Sequence, residues 1–467
     1  MIGAGPGGLH AALAAAALFG KRAAVVEKNP TVGGGAVVTG TLPSKTLRET
    51  ALALSGFQAR KLYGVDLSLR RQATVADLLF NERKVKATEQ SRLRRLLERF
   101  GVALVRGTAS FADPHTIRVA PPDGGPDTHL RGDTIILTTG SDPVRPPLFP
   151  FDNGRVHDSD QLIDLTEVPD SLAIVGAGVI GAEYACMFAA LGVKTTAIDG
   201  PTKLLDFLDP DVFAALEAAM TGLGGSFVWG EVVTACDANG RVTLTLSSGL
   251  VVEAGHVLVC AGRASRADRL RPEAAGIELG PKGRVKVDGH FLTNVAHIYA
   301  VGDRIGFPAL ASTSAEQGRA AACHAFGMEG LSAMPLLLPT GIYMIPEASA
   351  VGETEASLKA KGIEYVVGRA DYAQNPRGTI IGDDAGFLKL LFREPDLALV
   401  GVHMIGELAT ELIHTGLMVM RAGGGMDMIL NTCFNYPTRG GLFKQAGYAA
   451  LLARNARAKV SAVPQQE

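Results

Sequence analysis

The chain has no paired thiols. Its five cysteines, Cys186, Cys236, Cys260, Cys323 and Cys433, are scattered, and no two stand in a CxxC spacing. This excludes a zinc ribbon and a disulfide framework, and it suits a reducing cytoplasm. A charge surplus is missing too. The 45 Lys and Arg against 47 Asp and Glu leave a net charge of −2, so no field draws the chain to nucleic acid or to an anionic membrane. The histidines, His324, His403 and His414 among them, show no metal-ligand spacing; no metal is expected, and these three read as packing or interface residues. Long uninterrupted apolar runs are also lacking. Leu172 to Leu191 carries Glu183 and the glycines at 176, 178 and 181, and the Ala-rich start has no basic n-region. Both read as glycine turns entering buried helices, so the chain is expected to be soluble and cytoplasmic, without a membrane partner.

What is present fills several cores. At 467 residues with 47% apolar side chains, a prior near 150 residues per domain gives about three domains. The most basic run, Arg83 to Arg99, is interspersed with Glu82, Glu89 and Glu98 and carries Leu93, Leu96, Leu97 and Phe100 at helical spacing. It reads as the solvated face of a helix capped by Thr74 with Asp77.

One strand, turn and helix unit occurs twice. The first copy is Ile2 GAGPGG, an Ala-rich helix, and the strand Ala23 to Val26 ending in Glu27. The second is LAIVGAGVIGAEYACMFAALG and a strand ending in Asp199. In each, GxGxxG (Gly3, Gly5, Gly8; Gly176, Gly178, Gly181) opens a helix, and the acid follows the first glycine by 24 or 23 residues. The first glycine permits a tight turn, the second lets the backbone approach a pyrophosphate, and the third lets helix and strand pack closely. The helix N-terminus offers free amides to phosphate, and the acid accepts hydrogen bonds from ribose hydroxyls.

Apolar strands ending in glycine answer each unit: Thr134 to Ser141, and His256 to Arg263. Gly249 to Glu253 reads as a small β connection, and His297 IYAVGD as a strand running to Asp303. Beyond about Pro335 the pattern becomes mixed, with PTGIYMIPE, a strand near Phe387 to Phe392 and a helix near Ala409 to Arg421. The end, Ser461 to Glu467, is polar and expected to fray.

Gly33 to Arg48 reads GGGAVVTGTLPSKTLR. With GAGVIGAEYA (Gly176 to Ala185), YAVGDRIGFPALAS (Tyr299 to Ser312) and FNYPT (Phe434 to Thr438), the chain from Ile2 to about Leu451 resembles the flavoprotein pyridine nucleotide-disulfide oxidoreductases (class I). That family includes dihydrolipoamide dehydrogenase, glutathione reductase and the soluble pyridine nucleotide transhydrogenases, and these motifs favour the transhydrogenase branch, of the Si-specific type. The resemblance implies an α/β fold of two Rossmann-like dinucleotide-binding domains plus an α+β C-terminal dimerisation domain. The expected divisions are an FAD-binding domain at 1–150 and 272–335, an NAD(P)-binding domain at 151–271, and a dimerisation domain at 336–467 making a homodimer or higher homo-oligomer.

The resemblance also implies a site. FAD would lie on Gly3, Gly5, Gly8, Glu27, Lys28, Gly34, Gly35, Thr139, Gly140, Ser141, Gly302 and Asp303. NAD(H) and NADP(H), as substrates, would lie on Gly176, Gly178, Gly181, Asp199, Gly262 and Arg263. Lys45, in the PSK turn, is the expected cation at flavin N5 and Glu183 its partner. Read without the family, the two are a surface lysine and a first-turn glutamate complementing a helix dipole.

In the disulfide-reducing relatives the frame is GGxCxxxGCxPSK; here Ala36 and Thr41 replace both cysteines. Those relatives also carry a C-terminal HPTxxE, where this chain has Tyr436, Pro437, Thr438 and Gly441. The disulfide relay and its proton machinery are both absent. A ping-pong hydride transfer between NADPH and NAD⁺ needs neither. An NADH-dependent diaphorase or oxidase, and a catalytically degenerate nucleotide-binding homologue, stand as alternatives. Asp199 bears on the choice: a carboxylate about 5 Å from a 2′-phosphate, at an effective dielectric of about 20, costs about 3 kcal/mol per unit charge, or about a hundredfold in affinity. Lys203 would offset part of this. Only Met1 and Ile2 precede the first glycine, so the first central strand is expected to be nearly absent, leaving its neighbours' backbone groups unpaired, and the natural start to lie upstream.

Overall fold

The computed structural model describes residues 1–55, 74–200, 205, 208–265, 270–306 and 308–461. Lys203 and the polar tail after Ser461 lie outside the described residues.

The first glycine unit forms the Pro6–Phe19 helix, with Pro6 in its opening turn, an alanine run of high helix propensity, and Gly20 at φ 59° closing it. Beneath it, Ala24–Glu27 pairs in parallel with Ala103–Arg106, and Ile135–Leu137 with Ile298–Ala300. The expected gap between these two pairs is closed, in part, by three residues. Ile2 bridges both Val26 and Leu137; Ile2 N–H donates to Ile136 O at 2.9 Å, Thr138 N–H to Ile2 O at 2.9 Å and Val26 N–H to Met1 O at 2.9 Å. The neighbouring strands are so short that a one-residue strand satisfies them, which corrects the expectation of unpaired backbone. Ile2, Val26, Ile135, Leu137, Ile298 and Ala300 share one core. The Pro6–Phe19 helix packs on Ala311–Ala325 so tightly that a Cβ on Gly318 would sit 2.1 Å from Gly7 O.

The second unit builds a five-stranded parallel sheet, in the order Ser226–Trp229, Lys194–Asp199, Ser171–Val175, His256–Val259 and Val156–Asp158. Its inner strands Ser171–Val175 and His256–Val259 are buried almost throughout, as a covered parallel sheet requires. Val251–Ala254, on the segment read as a β connection, joins a three-stranded antiparallel sheet. A short antiparallel pair, Asp142–Pro143 with Arg263–Ala264, links the two units.

The C-terminal part is an antiparallel sheet ordered Thr340–Ile342, Ala348–Gly352, Leu399–Ile405, Phe387–Arg393 and Tyr365–Asp371, with the Ala409–Arg421 and Gly441–Ser461 helices beside it. Met418, Tyr436, Tyr448 and Leu452 of this part are each more than half exposed. The basic run lies in the Val75–Arg99 helix, closed at its start by the Thr74 and Asp77 capping box. Glu82 departs from the solvated face: it is buried and meets Lys86 at 2.9 Å. No helix among the described residues is long and apolar enough to cross a membrane.

His157 and His256 stand on adjacent strands of the parallel sheet, ring nitrogens 3.0 Å apart. Burial, with a contribution from His256, pushes the His157 pKa down to about 4. The folded protein therefore holds His157 neutral where the unfolded chain, near 6.5, takes up a proton. Its stabilisation is complete above pH 6.5 and is lost as pH falls toward 4. Discounted for partial exposure, the loss is about 1–2 kcal/mol. Urea unfolding at a series of pH values should show His157→Gln losing that much less stability than the parent between pH 7 and 4.5. Parallel losses in the two proteins would contradict this.

Candidate functional site

The two glycine turns superimpose in their chemistry. Gly3 has φ 109° and a Cβ there would lie 2.4 Å from Thr138 O; Gly176 has φ 95° and its Cβ would lie 2.4 Å from Cys260 O. A Cβ on Gly8 would meet Gly3 O at 2.0 Å, and one on Gly181 would meet Gly176 O at 2.0 Å. The middle glycines differ from these. Nothing lies within 4 Å of a Cβ on Gly178, and Gly5 has only Gly34 Cα, at 4.0 Å. The outer glycines are needed for turn and packing, while the middle ones face open space at a helix N-terminus, where a pyrophosphate fits.

Each acid is fixed at its turn in the same way. Ala4 N–H donates to Glu27 Oε2 at 2.8 Å, and Ala177 N–H to Asp199 Oδ2 at 2.7 Å. Glu27 is buried, with Asn29 N–H on its other oxygen at 2.9 Å. It lines a cavity of about 410 Å³ together with Asn29, Val32, Arg94, Leu97 and Arg106. Lys28 is exposed at the strand end. The open middle glycine, the fixed acid and this cavity fit the adenosine and pyrophosphate half of a dinucleotide.

The Gly33 to Arg48 loop lies directly against the first turn: a Cβ on Gly34 would be 2.7 Å from Gly5 Cα. Gly34 and Gly35 open a short helical turn, Gly34–Val38, that contains Ala36, and Thr41 begins the Thr41–Ser55 helix. Pro43, Ser44 and Lys45 are therefore in the opening turns of a helix, not in the turn that the sequence implied. This helix packs beside Val179–Ala190, which opens on the second glycine turn. Lys45 Nζ meets Glu183 Oε2 at 2.6 Å and Ser44 Oγ at 3.2 Å.

Glu183 is 4% exposed and lies past its helix's first turn, so it is no surface dipole complement. Its second oxygen accepts Tyr343 N–H at 2.9 Å, and the Tyr343 ring faces Lys45 Nζ at 4.9 Å from its centroid. Next to it, Arg48 Nε donates to Met344 O at 2.7 Å, and Cys186 Sγ accepts Ile345 N–H at 3.1 Å. Sequence reasoning missed Tyr343 and Arg48, because they meet the loop only through tertiary packing.

A polar chain joins the two units. Ser141 Oγ donates to Asp303 Oδ2 at 2.6 Å and accepts Arg263 Nε–H at 3.0 Å, while Arg263 NH1 reaches Asp160 Oδ1 at 2.9 Å. Gly302 N–H is held by Gln317 Oε1 at 2.7 Å. Thr139 is exposed and Gly140 half-buried beside Ser141, and Gly262, at φ 95°, leads into Arg263. The structure thus brings Lys45 to Glu183, and Ser141 to both Asp303 and Arg263. Thr138, not foreseen, ties the first turn by donating to Gly3 O at 2.8 Å.

All five cysteines are free thiols. Burial pushes the Cys186 and Cys260 thiols up to about 12, so near neutral pH neither supplies the thiolate that disulfide exchange needs.

A family model described as pyridine nucleotide-disulphide oxidoreductase matches residues 1–318, and that family's dimerisation domain matches 338–446. The chain is 48% identical to a soluble pyridine nucleotide transhydrogenase of Mycobacterium bovis, over 96% of this chain and 95% of the relative. It is 37% identical to the protein of the same name from Aliivibrio fischeri, over 97% and 96%. Among solved structures, LpdA of Mycobacterium tuberculosis is similar at TM-score 0.88 and 27% identity, over 96% of this chain and 98% of that one. The HOCl-induced flavoprotein disulfide reductase RclA of Escherichia coli, seen as a Cu(II) complex, is similar at TM-score 0.86 and 25% identity, over 96% and 98%.

Proposed function

The chain belongs to the pyridine nucleotide-disulphide oxidoreductase family, an FAD-dependent family of oxidoreductases, and we propose that it is an NAD(P)⁺ transhydrogenase working by ping-pong hydride transfer without a redox disulfide. The observation that carries this reading is the Lys45 and Glu183 pair, 2.6 Å apart, standing beside a loop whose Ala36 and Thr41 cannot carry electrons. Bound FAD would supply the chemistry, taking a hydride at N5 from one nicotinamide and giving it to another.

The protein's part is to hold and to polarise. Gly3, Gly5, Gly8, Glu27, Gly34, Ser141 and Asp303 would hold the flavin nucleotide. Gly176, Gly178, Gly181, Asp199 and Arg263 would hold the nicotinamide nucleotides in turn. Lys45 keeps a cation where negative charge would develop, preorganised by Glu183 so that little reorganisation accompanies the reaction. No thiol must be protonated, so Tyr436 and Gly441 in place of an acid-base pair do not impair the step. The transhydrogenase relatives support the reading, and the exposed apolar residues of the matched dimerisation domain support a homodimer.

Asp199 favours a second reading, an NADH-dependent diaphorase or oxidase. The test is NADPH-driven reduction of thio-NAD⁺ by the purified protein, followed with oxygen uptake and bound-flavin absorbance. Transfer to thio-NAD⁺ with little oxygen uptake is expected. Oxygen uptake without transfer supports the oxidase, and a colourless protein supports a degenerate homologue; either result would overturn the transhydrogenase.

A further inference from the structure

Resting on that reading, we propose that Tyr343 is a positioning residue: it holds both members of the flavin-side ion pair, the carboxylate by its backbone and the ammonium by its ring. The residue arrives from a different part of the chain. It follows the Thr340–Ile342 strand at the edge of the C-terminal sheet, while Lys45 and Glu183 ride on helices of the two glycine units. Tyr343 N–H fixes Glu183 Oε1 at 2.9 Å, which leaves Oε2 to face Lys45 at 2.6 Å. The Tyr343 ring lies 4.9 Å from Lys45 Nζ, within the range of a cation–π contact.

The segment carrying Tyr343 is itself held on both helices. Arg48 Nε, from the Lys45 helix, donates to Met344 O at 2.7 Å, and Ile345 N–H donates to Cys186 Sγ, from the Glu183 helix, at 3.1 Å. Three consecutive residues therefore contact Glu183, Arg48 and Cys186. The lysine has four rotatable bonds and a side chain 25% exposed, and its polar contacts are Glu183 and the Oγ of its own neighbour Ser44 at 3.2 Å. The ring adds a contact from the C-terminal part that fixes the ammonium's direction. The C-terminal domain is thereby joined to the flavin-side cation through one side chain.

The backbone hydrogen bond survives any side-chain change, so substitution isolates the ring. Two readouts separate this proposal from the functional reading. The first needs no turnover: competitive acetylation of Lys45, read by mass spectrometry on the protein as purified. Tyr343→Leu should label about 3- to 10-fold faster than the parent, and Tyr343→Phe, which keeps the ring, within about 2-fold of it. The second is the reduction potential of the bound flavin. Tyr343→Leu should shift the reduction equilibrium about 3- to 10-fold toward the oxidised form, while Tyr343→Phe should restore the parent value. Equal labelling of Lys45 in all three proteins, or Phe behaving as Leu does, would overturn the proposal. Faster labelling of Tyr343→Leu in a protein that takes up no FAD would uphold the positioning role and reject the transhydrogenase.

Discussion

Replacing Lys45 by Met is expected to leave FAD bound and to slow its reduction by NADPH about 10²- to 10³-fold, the usual loss when one preorganised electrostatic group is removed. The flavin nucleotide would be held by the glycine turn and Glu27, which do not touch Lys45, so flavin content should stay near the parent's. The variant also strands a charge. Glu183, 4% exposed, would keep Tyr343 N–H and lose its counter-ion. Removing one partner of a fully buried pair costs about 3–5 kcal/mol; with the Lys45 side chain 25% exposed, water softens this to about 2 kcal/mol. The double variant Lys45→Met, Glu183→Gln removes the stranded charge and should regain most of the stability, yet remain slow. Stopped-flow bleaching of the flavin and urea unfolding on the same preparations separate the two effects. Recovery of the reduction rate in the double variant would mean that Lys45 acts only through stability.

The second large effect is expected at Asp199. Its carboxylate cannot retreat from a 2′-phosphate without giving up the Ala177 N–H bond at 2.7 Å. The parent protein should therefore bind NADH more tightly than NADPH. Asp199→Asn keeps a side-chain carbonyl that can accept from Ala177 and removes the charge, so the ratio of the two dissociation constants should move toward NADPH by about 30- to 100-fold. The ratio is the quantity to follow, because Asn also weakens the bond to the ribose of NADH. The chain's single tryptophan provides the signal. Trp229 is the in-register neighbour of Asp199 on the adjacent strand, held by Glu217 at 2.9 Å, so quenching of its emission would report a nucleotide bound at this turn. An unchanged ratio would show that the adenosine ribose is not read by Asp199.

Much of the candidate site's geometry was legible because its parts are local. GxGxxG fixes a turn within six residues, and the acid ends the next strand, so Glu27 and Asp199 could be named from spacing alone. Both acids then hold the amide after the first glycine at nearly the same distance, the geometric trace of the internal repeat. Lys45 and Glu183 were legible only through the resemblance: they are 138 residues apart, and no periodicity connects them. Tyr343, Arg48 and Thr138 left no signal, since each acts through a contact between residues far apart in the sequence. The first strand was misjudged for a physical reason. Backbone pairing was counted against a full strand, whereas its neighbours span only four and three residues, and Met1 to Gly3 reach both.

The central claim is that hydride passes between two nicotinamide nucleotides with no thiol in the path. Its most direct measurement uses protein treated with iodoacetamide, reduced by NADPH without oxygen, separated from nucleotide and mixed with NAD⁺ in a stopped-flow instrument. The account expects the flavin to reoxidise as NADH appears in equal amount, at the rate of untreated protein. A reduced flavin that stays bleached with NAD⁺, or a transfer abolished by the alkylation, would contradict it.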